Sequence, residues 1–388
     1  MINVLFAYNH LLVEGGTESV MLNIFNHIDP EKFHIDFLLM HDVHIEDKTE
    51  LTKYLRKKGA EVYYFAPFNC GIARSRKSLE SFFKSHHYDI VHTHMNALGA
   101  EVLKAARKYG VPVRVAHSHN TWHQLEIHNP KDLLHYLYLE KEKKQLRRVA
   151  THYIGCSKEA GEWLFGKKLC RTPEYFTFKN AIDVENYQYN PEMRQKLRAE
   201  YQLEDQFVVG HVGRFDYQKN HVFLIHAFEH LHQKNANTKL VLIGIGEYFE
   251  KMQELVRQLK LEDSVLFLGK RSDVPQFLQA MDVFFLPSHF EGLPVSLIEA
   301  QAAGLRCLVS DQVSRQADIS GNVKFLGISE NDLDHWANEA EIIMQNAGER
   351  RTPVNAIRQN GYDMKYNIKQ LEAFYQKALK ECAINDEH

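Results

Sequence analysis

Two carboxylates stand eight positions apart in Glu291-Gly-Leu-Pro-Val-Ser-Leu-Ile-Glu299, on either side of a Gly-x-Pro turn. The segment follows a strand-like apolar run, Val283–Leu286, and leads into Val295–Ala303, whose pattern predicts a helix. Pro294 suits the first helical position, where its missing N–H costs nothing. The backbone amides of Gly292, Leu293 and Val295 then face whatever sits above the strand end. A helix N-terminus at the carboxyl end of a buried strand favours a phosphate. Helical side chains lean toward the N-terminus, so Glu299 reaches the same ligand from the second turn, while Glu291 lies on the turn itself. Amides for a phosphate and carboxylates for hydroxyl groups fit a sugar nucleotide.

A second segment, Val208-Val-Gly-His-Val-Gly-Arg-Phe-Asp-Tyr-Gln-Lys-Asn220, reads as a buried strand ending in Gly213, followed by two cations. Arg214 offers a bidentate fork and Lys219 a point charge, a natural clamp for a pyrophosphate. Asn220 can cap the next helix. Leu240-Val-Leu-Ile-Gly244-Ile-Gly246 ends a strand in Gly-x-Gly; its glycines either admit a ribose or phosphate or make a tight turn. Gly15-Gly16 after the first strand poses the same choice. His92-x-His94 and His117-x-His119 have strand spacing, so each pair faces one side. A site role is expected for at least one of His117 and His119, which end a strand; such pairs also hold zinc in some hydrolases. Asp332-x-Asp334 falls in a polar helical stretch and reads as surface. The basic runs Arg74–Lys77 and Lys141–Arg148 read as wet helix faces or as contacts for lipid headgroups.

These residues need a scaffold, and the chain has the pattern for one. Apolar runs of strand length alternate with helix-length segments from end to end, which implies doubly wound parallel sheets. Strands are expected at Val4–Ala7, Ile35–Leu39, Val62–Phe65, Ile90–His92, Val113–His117 and His152–Cys156. A second set lies at Phe207–Val212, Leu240–Ile243, Val265–Leu268, Val283–Leu286 and Cys307–Val309. At 388 residues two domains are expected, 1–178 and 179–365, with an amphipathic C-terminal helix, 366–388, packing back on the first. The five cysteines show no C-x-x-C spacing, which argues for reduced thiols and against a thiolate zinc site. The strand-like start lacks the pattern of a signal peptide, and no apolar run reaches the roughly 20 residues of a membrane span. Residues 1–180 carry 25 Lys and Arg against 20 Asp and Glu, and the remainder 22 against 30. A basic first half suits anionic lipid or a pyrophosphate-bearing acceptor.

The ensemble resembles the retaining glycosyltransferases of family 4, which have the GT-B fold of two Rossmann-like domains facing across a cleft. The resemblance is carried by Gly15-Gly16-Thr17-Glu18, Asp89-Ile-Val-His-Thr-His94, Ala116-His-Ser-His-Asn120, Asn180-Ala-Ile-Asp183, Gly213-Arg214 with Lys219-Asn220, Gly244-x-Gly246, and Glu291 with Glu299. The His-Ser-His-Asn variant looks most like enzymes of capsule and exopolysaccharide assembly. By position, the resemblance implies that Arg214 and Lys219 bind the diphosphate and Glu299 the ribose. It implies that Glu291 and Pro294, with the amides of Gly292, Leu293 and Val295, hold the donor sugar and its phosphate. Gly16 would approach the diphosphate, His117 would lie near the transferred sugar, His119 beside the acceptor, and Arg271 near the base. Ala181 departs from the glycine common at the linker and would be strained if that site needed positive φ.

The expected activity is therefore metal-independent, retaining transfer from a UDP-sugar, with GDP as the other base, to a lipid-linked or oligosaccharide acceptor. No cofactor or nucleic acid partner is expected. The place is expected to be the cytoplasm, at the inner face of the cell membrane, with peripheral contact to anionic lipid. Three rivals stay open: a GT-B-like epimerase or phosphorylase, a zinc hydrolase using the paired histidines, and a silent sugar-nucleotide binding module.

Overall fold

The computed structural model describes residues 1–9, 16–41, 50–121, 123, 125, 127–291, 294–346 and 348–386. Gly15, Gly292 and Leu293, all expected near the donor, lie outside these residues. Contacts gather the chain into two compact units, Met1–Asn180 with Met364–His388, and Ala181–Asp363.

In the first unit the strands are β1 Ile2–Tyr8, β2 Phe33–Met40, β3 Val62–Phe65, β4 Ile90–Thr93, β5 Val113–Ser118, β6 His152–Gly155 and β7 Tyr175–Thr177. They pair in parallel in the order β3-β2-β1-β4-β5-β6-β7. The second unit contains β8 Phe207–Val212, β9 Thr238–Ile243, β10 Val265–Phe267, β11 Val283–Leu286, β12 Arg306–Ser310 and β13 Val323–Leu326. Its order, again all parallel, is β10-β9-β8-β11-β12-β13. Each sheet thus reverses direction once, between β1 and β4 and between β8 and β11. Connections leave such a point toward opposite faces, so a crevice opens there at the strands' carboxyl ends.

Alternation along the strands accounts for burial on both faces. Val209, Leu240, Leu242, Val283 and Phe285 belong to one core with the helices His221–Lys234 and Leu333–Gln345. Their neighbours Val208, Val241, Ile243, Phe284 and Leu286 belong to another, with Val274–Ala280 and Val295–Ala302. The first unit repeats this scheme. Leu5, Ala7 and Val91 face one core, while Phe6 stacks edge-on to Phe37, and Phe33 lies 6.0 Å from Tyr375 of the C-terminal helix, Met364–Asp386. That helix is also tied to the unit by the Asp29 amide, which donates to Glu372 at 2.9 Å. Among the described residues no helix is long and apolar enough to cross a membrane.

Several elements differ from expectation. β7 and β13, and the helices Pro191–Glu200 and Val354–Gln359, carry too few buried residues to announce themselves, Pro191–Glu200 burying only Leu197 and Arg198. The helix Lys158–Phe165 is only two turns long, and two of its four buried residues are the small Ala160 and Gly161. β7 and β13 are edge strands, where half-burial weakens the apolar signal. Pro294 is not the first helical residue. It precedes Val295–Ala302 at the cap position, with φ −77° and ψ 89°. Asn220 holds the cap position before His221 but makes no side-chain capping bond. It sits in the left-handed region, φ 52°, which Asn tolerates better than most residues. Ala181 is not among the residues with positive φ, so no strain arises from the missing glycine.

Candidate active site

In the second unit the loops at the carboxyl ends of four adjacent strands are joined in series. The Gly244 amide donates to the Gly269 carbonyl after β10, and the Gly213 and Phe215 amides donate to the carbonyls of Ile243, which ends β9, and of Ile245 just beyond it. The His289 amide donates to the Gln218 carbonyl at 2.9 Å, linking the loops after β11 and β8. The sheet's reversal point therefore carries one continuous rim that holds Arg214, Lys219 and Glu291.

The rim's centre is an ion pair, Lys219 Nζ to Glu291 Oε1 at 2.6 Å, with both side chains largely withdrawn from water. Ser288 Oγ donates to the same oxygen at 2.7 Å, and Gln218 Nε2 to Oε2 at 3.0 Å. Every carboxylate oxygen is occupied, so Glu291 is held in one orientation. Burying two charges is tolerable only with such additional donors. Arg214, by contrast, is exposed and has no carboxylate partner among the described residues. Lys219 shares its charge with Glu291, whereas Arg214 keeps its own.

Two glycine requirements hold this rim together. Gly244 has φ +145°, and a Cβ there would stand 1.9 Å from the Gly213 carbonyl oxygen. A Cβ on Gly246 would meet the Phe215 carbonyl oxygen at 2.3 Å. What these glycines admit is the chain's own backbone at Gly213–Phe215. These contacts account for the glycines as a tight turn, one of the two readings of Gly244-x-Gly246.

Glu299, on the Val295–Ala302 helix, is half-buried and accepts a 2.7 Å hydrogen bond from the Tyr187 hydroxyl. Burial pushes its carboxyl up to about 7, against the lowering effect of Tyr187. Burial likewise raises the Tyr187 phenol, so it remains a donor. Arg271 is engaged locally: it grips Asp273 through two bonds of 2.8 and 2.6 Å and lies 4.8 Å over the Phe277 ring. Asp334 is exposed and pairs with His230, while Asp332 accepts from Ser329, so both work as surface and capping groups.

The first unit places four histidines at the carboxyl ends of β4 and β5, next to its own reversal point. The His117 and His119 rings stack 4.0 Å apart, and His92 lies 4.2 Å from His94. His92 Nε2 meets His117 Nδ1 at 3.2 Å, and His94 Nδ1 meets His119 Nε2 at 3.0 Å. His92 Nδ1 is 2.6 Å from the Tyr375 hydroxyl. Burial drives His92, His94 and His117 well below the ordinary imidazole range, with neighbouring histidines adding to the effect, and lowers His119 to about 3. The cluster is therefore neutral. Gly16 opens the helix that follows β1, Gly16–His27.

His92, His94 and His117 each offer a nitrogen within 4.8 Å of the others, the one group among the described residues with that capacity for a metal. Zinc needs deprotonated nitrogens at about 2.0–2.1 Å with free lone pairs. Both nitrogens of His92 already serve Tyr375 and His117, so the donor set is a poor fit.

Sequence reasoning singled out Arg214, Lys219, Glu291, Glu299, His117 and His119, and the structure joins Lys219 to Glu291 and stacks His117 on His119. It missed Gln218, Ser288, Tyr187 and Tyr375. Gln218 and Ser288 sit inside or beside the motifs, where their amide and hydroxyl groups were a readable signal. Tyr187 and Tyr375 are single aromatics distant in sequence from their partners, and nothing local marks them.

With this geometry established, comparisons with known proteins locate the chain among its relatives. Residues 14–185 match the model described as Glycosyltransferase Family 4, and residues 193–361 the model described as Glycosyl transferases group 1. EpsF of Bacillus subtilis, which carries a glycosyltransferase name, is 31% identical over 359 residues, 91% of each chain. The UDP-Gal:alpha-D-GlcNAc-diphosphoundecaprenol alpha-1,3-galactosyltransferase of Escherichia coli is 28% identical over 340 residues, 84% of this chain and 83% of its own. The crystal structure of Anabaena HepE in complex with UDP and glucose superposes with a TM-score of 0.66 at 20% identity, covering 100% of both chains.

The raised Glu299 carboxyl has a consequence for stability. Its folded pKa, about 7, exceeds the ordinary 4.5, so the fold holds the proton more tightly than the unfolded chain. The contribution is fully present below pH 4.5 and is lost as pH rises through about 7. Glu299→Gln keeps an acceptor for Tyr187 without the titration. Thermal unfolding from pH 4.5 to 8 should therefore show the midpoint of the native protein falling relative to the variant. A pH-independent difference would rule out this assignment.

Proposed function

The chain belongs to the family 4 glycosyltransferases of the GT-B fold, and on that premise we propose that it is a retaining, metal-independent enzyme transferring a sugar from a UDP-sugar to a lipid-linked or glycan acceptor in cell-surface polysaccharide synthesis. The observation that carries the reading is the rim at β8 and β11: an oriented Glu291, its partner Lys219 and the uncompensated Arg214, at the sheet's reversal point. HepE, crystallised with UDP and glucose, supports the choice of donor. The Escherichia coli relative, named for UDP-Gal and a diphosphoundecaprenol acceptor, supports the acceptor class.

Arg214 and Lys219 meet the diphosphate, and the amide of Val295 at the helix start adds a third donor. Glu299 accepts from the ribose hydroxyls and Glu291 from a hydroxyl of the donor sugar. In the first unit, His117 is the sugar-side group and His119 the acceptor-side group. The anomeric C–O bond to the phosphate breaks as the acceptor oxygen bonds to the same face of that carbon. The acceptor's proton passes to the departing phosphate oxygen. Positive groups already in place stabilise the charge that develops on the diphosphate, so this step requires no metal. Glu291 is a weak nucleophile in this setting, because Lys219, Ser288 and Gln218 occupy its oxygens. That favours front-face attack over a covalent glycosyl-enzyme.

The N-terminal turns of the Pro130–Val149 helix supply a membrane contact. Leu134 and Leu137 are 67% and 55% exposed, with Leu133 and Ile127 beside them. Lys131, Lys141, Lys144 and Arg148 on the same helix are also exposed. An exposed apolar patch flanked by cations fits an anionic lipid surface, which is where a lipid-linked acceptor resides.

A panel of nucleotide sugars assayed for transfer and slow donor hydrolysis should find a UDP-sugar preferred, with turnover unchanged by chelator and the anomeric configuration retained. Arg214→Ala and Lys219→Ala should each lower kcat by about 10²–10³-fold while the protein stays folded. Turnover near the native value in both variants would remove the clamp, and a trapped Glu291 adduct would replace the front-face step. In sedimentation with vesicles, the protein should bind phosphatidylglycerol and not phosphatidylcholine. The Leu134→Ser, Leu137→Ser double variant should bind at least about tenfold more weakly. Equal binding by the variant would sink the membrane contact.

A further inference from the structure

We propose that Tyr375 is a positioning residue that, through His92, decides which nitrogen of His117 carries its proton. The inference rests on the reading of His117 as the sugar-side group, but its first test does not.

The geometry is a linear chain of buried groups. The Tyr375 hydroxyl is 2.6 Å from His92 Nδ1, and His92 Nε2 is 3.2 Å from His117 Nδ1. Tyr375 and His92 are 0% exposed and His117 is 1%. His117 Nε2 ends the chain, buried and without a partner among the described residues. Each imidazole is neutral and has one N–H and one lone pair, so the chain can be polarised in only two ways.

In one polarity, His117 Nδ1–H donates to His92 Nε2, and His92 Nδ1–H donates to the tyrosine oxygen. The phenolic proton then has no acceptor among the described residues, and a buried unpaired O–H is costly. In the other, Tyr375 donates to His92 Nδ1, and His92 Nε2–H donates to His117 Nδ1. Every donor and acceptor inside the chain is then satisfied, and one group alone is left unpaired, the His117 Nε2–H, where the first polarity leaves two, the phenolic O–H and the His117 Nε2 lone pair. A phenol at the base of the chain selects this second polarity because its oxygen carries a proton that must be donated.

The result is a preoriented N–H at His117 Nε2, aimed from a dry site. Its fitting acceptor is an oxygen of the sugar nucleotide, either a hydroxyl of the transferred sugar or a phosphate oxygen. A donor fixed in advance favours the transition state, since no reorganisation is required as charge develops. Tyr375 touches no substrate and acts only through His92. The C-terminal helix therefore contributes to chemistry as well as to packing.

Long-range ¹⁵N spectra of histidine-labelled native protein, with the His117 signals assigned through His117→Gln, should show His117 protonated at Nε2. A proton on Nδ1 overturns the proposal with no variant needed. Tyr375→Phe removes the phenolic proton and should let His117 populate both tautomers. Its kcat should fall about tenfold, with the KM for the UDP-sugar within about twofold. A variant that keeps the Nε2 tautomer and native kcat also overturns it, as does stoichiometric zinc bound to His117 in the purified protein. If His117→Gln transfers sugar at the native rate while the Nε2 tautomer is seen, the site reading fails and the tautomer assignment stands.

Discussion

The second unit depends on a withdrawn ion pair whose two halves come from loops 72 residues apart. Lys219 and Glu291 meet only because β8 and β11 are neighbours in the sheet while being third-removed in the chain. The pair costs desolvation on both sides, and Ser288 and Gln218 offset that cost with two further hydrogen bonds to the carboxylate. A carboxylate held by three donors keeps one orientation, and it positions the lysine beside it. Arg214, just upstream on the same loop, is exposed and has no carboxylate partner among the described residues. The division between a fixed acid, a shared cation and a free cation follows from one contact.

The first unit solves a parallel problem without charge. Its reversal point, between β1 and β4, gathers four imidazoles, and burial keeps them neutral across the physiological range. Neutral rings pack at 4.0–5.2 Å without repulsion and are joined by hydrogen bonds in two pairs, His92 with His117 and His94 with His119. The same topology thus presents an electrostatic rim in one unit and a network of neutral hydrogen bonds in the other. Aromatic neighbours Phe6 and Phe178 pack against the imidazoles and keep water out.

Glycine chemistry illustrates how the same residue pattern carries different meanings. Gly244 and Gly246 resemble half of a nucleotide fingerprint, yet the atoms they make room for are the carbonyls of Gly213 and Phe215. Their service to the site is indirect, because they let the loop after β9 brace the loop that bears Arg214. Ala181 shows the converse. A residue that looked out of place in the linker has ordinary backbone angles and lies buried at 4% exposure.

The sequence alone determined the alternation of strands and helices, because strands buried on both faces must be nearly continuous apolar runs. Phe207–Val212 and Val283–Leu286 were legible to the residue for that reason. It also determined the identities of Arg214, Lys219, Glu291, Glu299 and the histidine pairs, since their chemistry and local spacing are written in short segments. Edge strands such as Val323–Leu326 escaped notice, because half-burial leaves little pattern. Partnerships were decided only by tertiary structure. Nothing near Tyr187 points to Glu299, 112 positions away, and nothing near Tyr375 points to His92, 283 positions away. Hydrogen bonds across such separations are set by sheet order and by the return of the last helix, and no local periodicity encodes either.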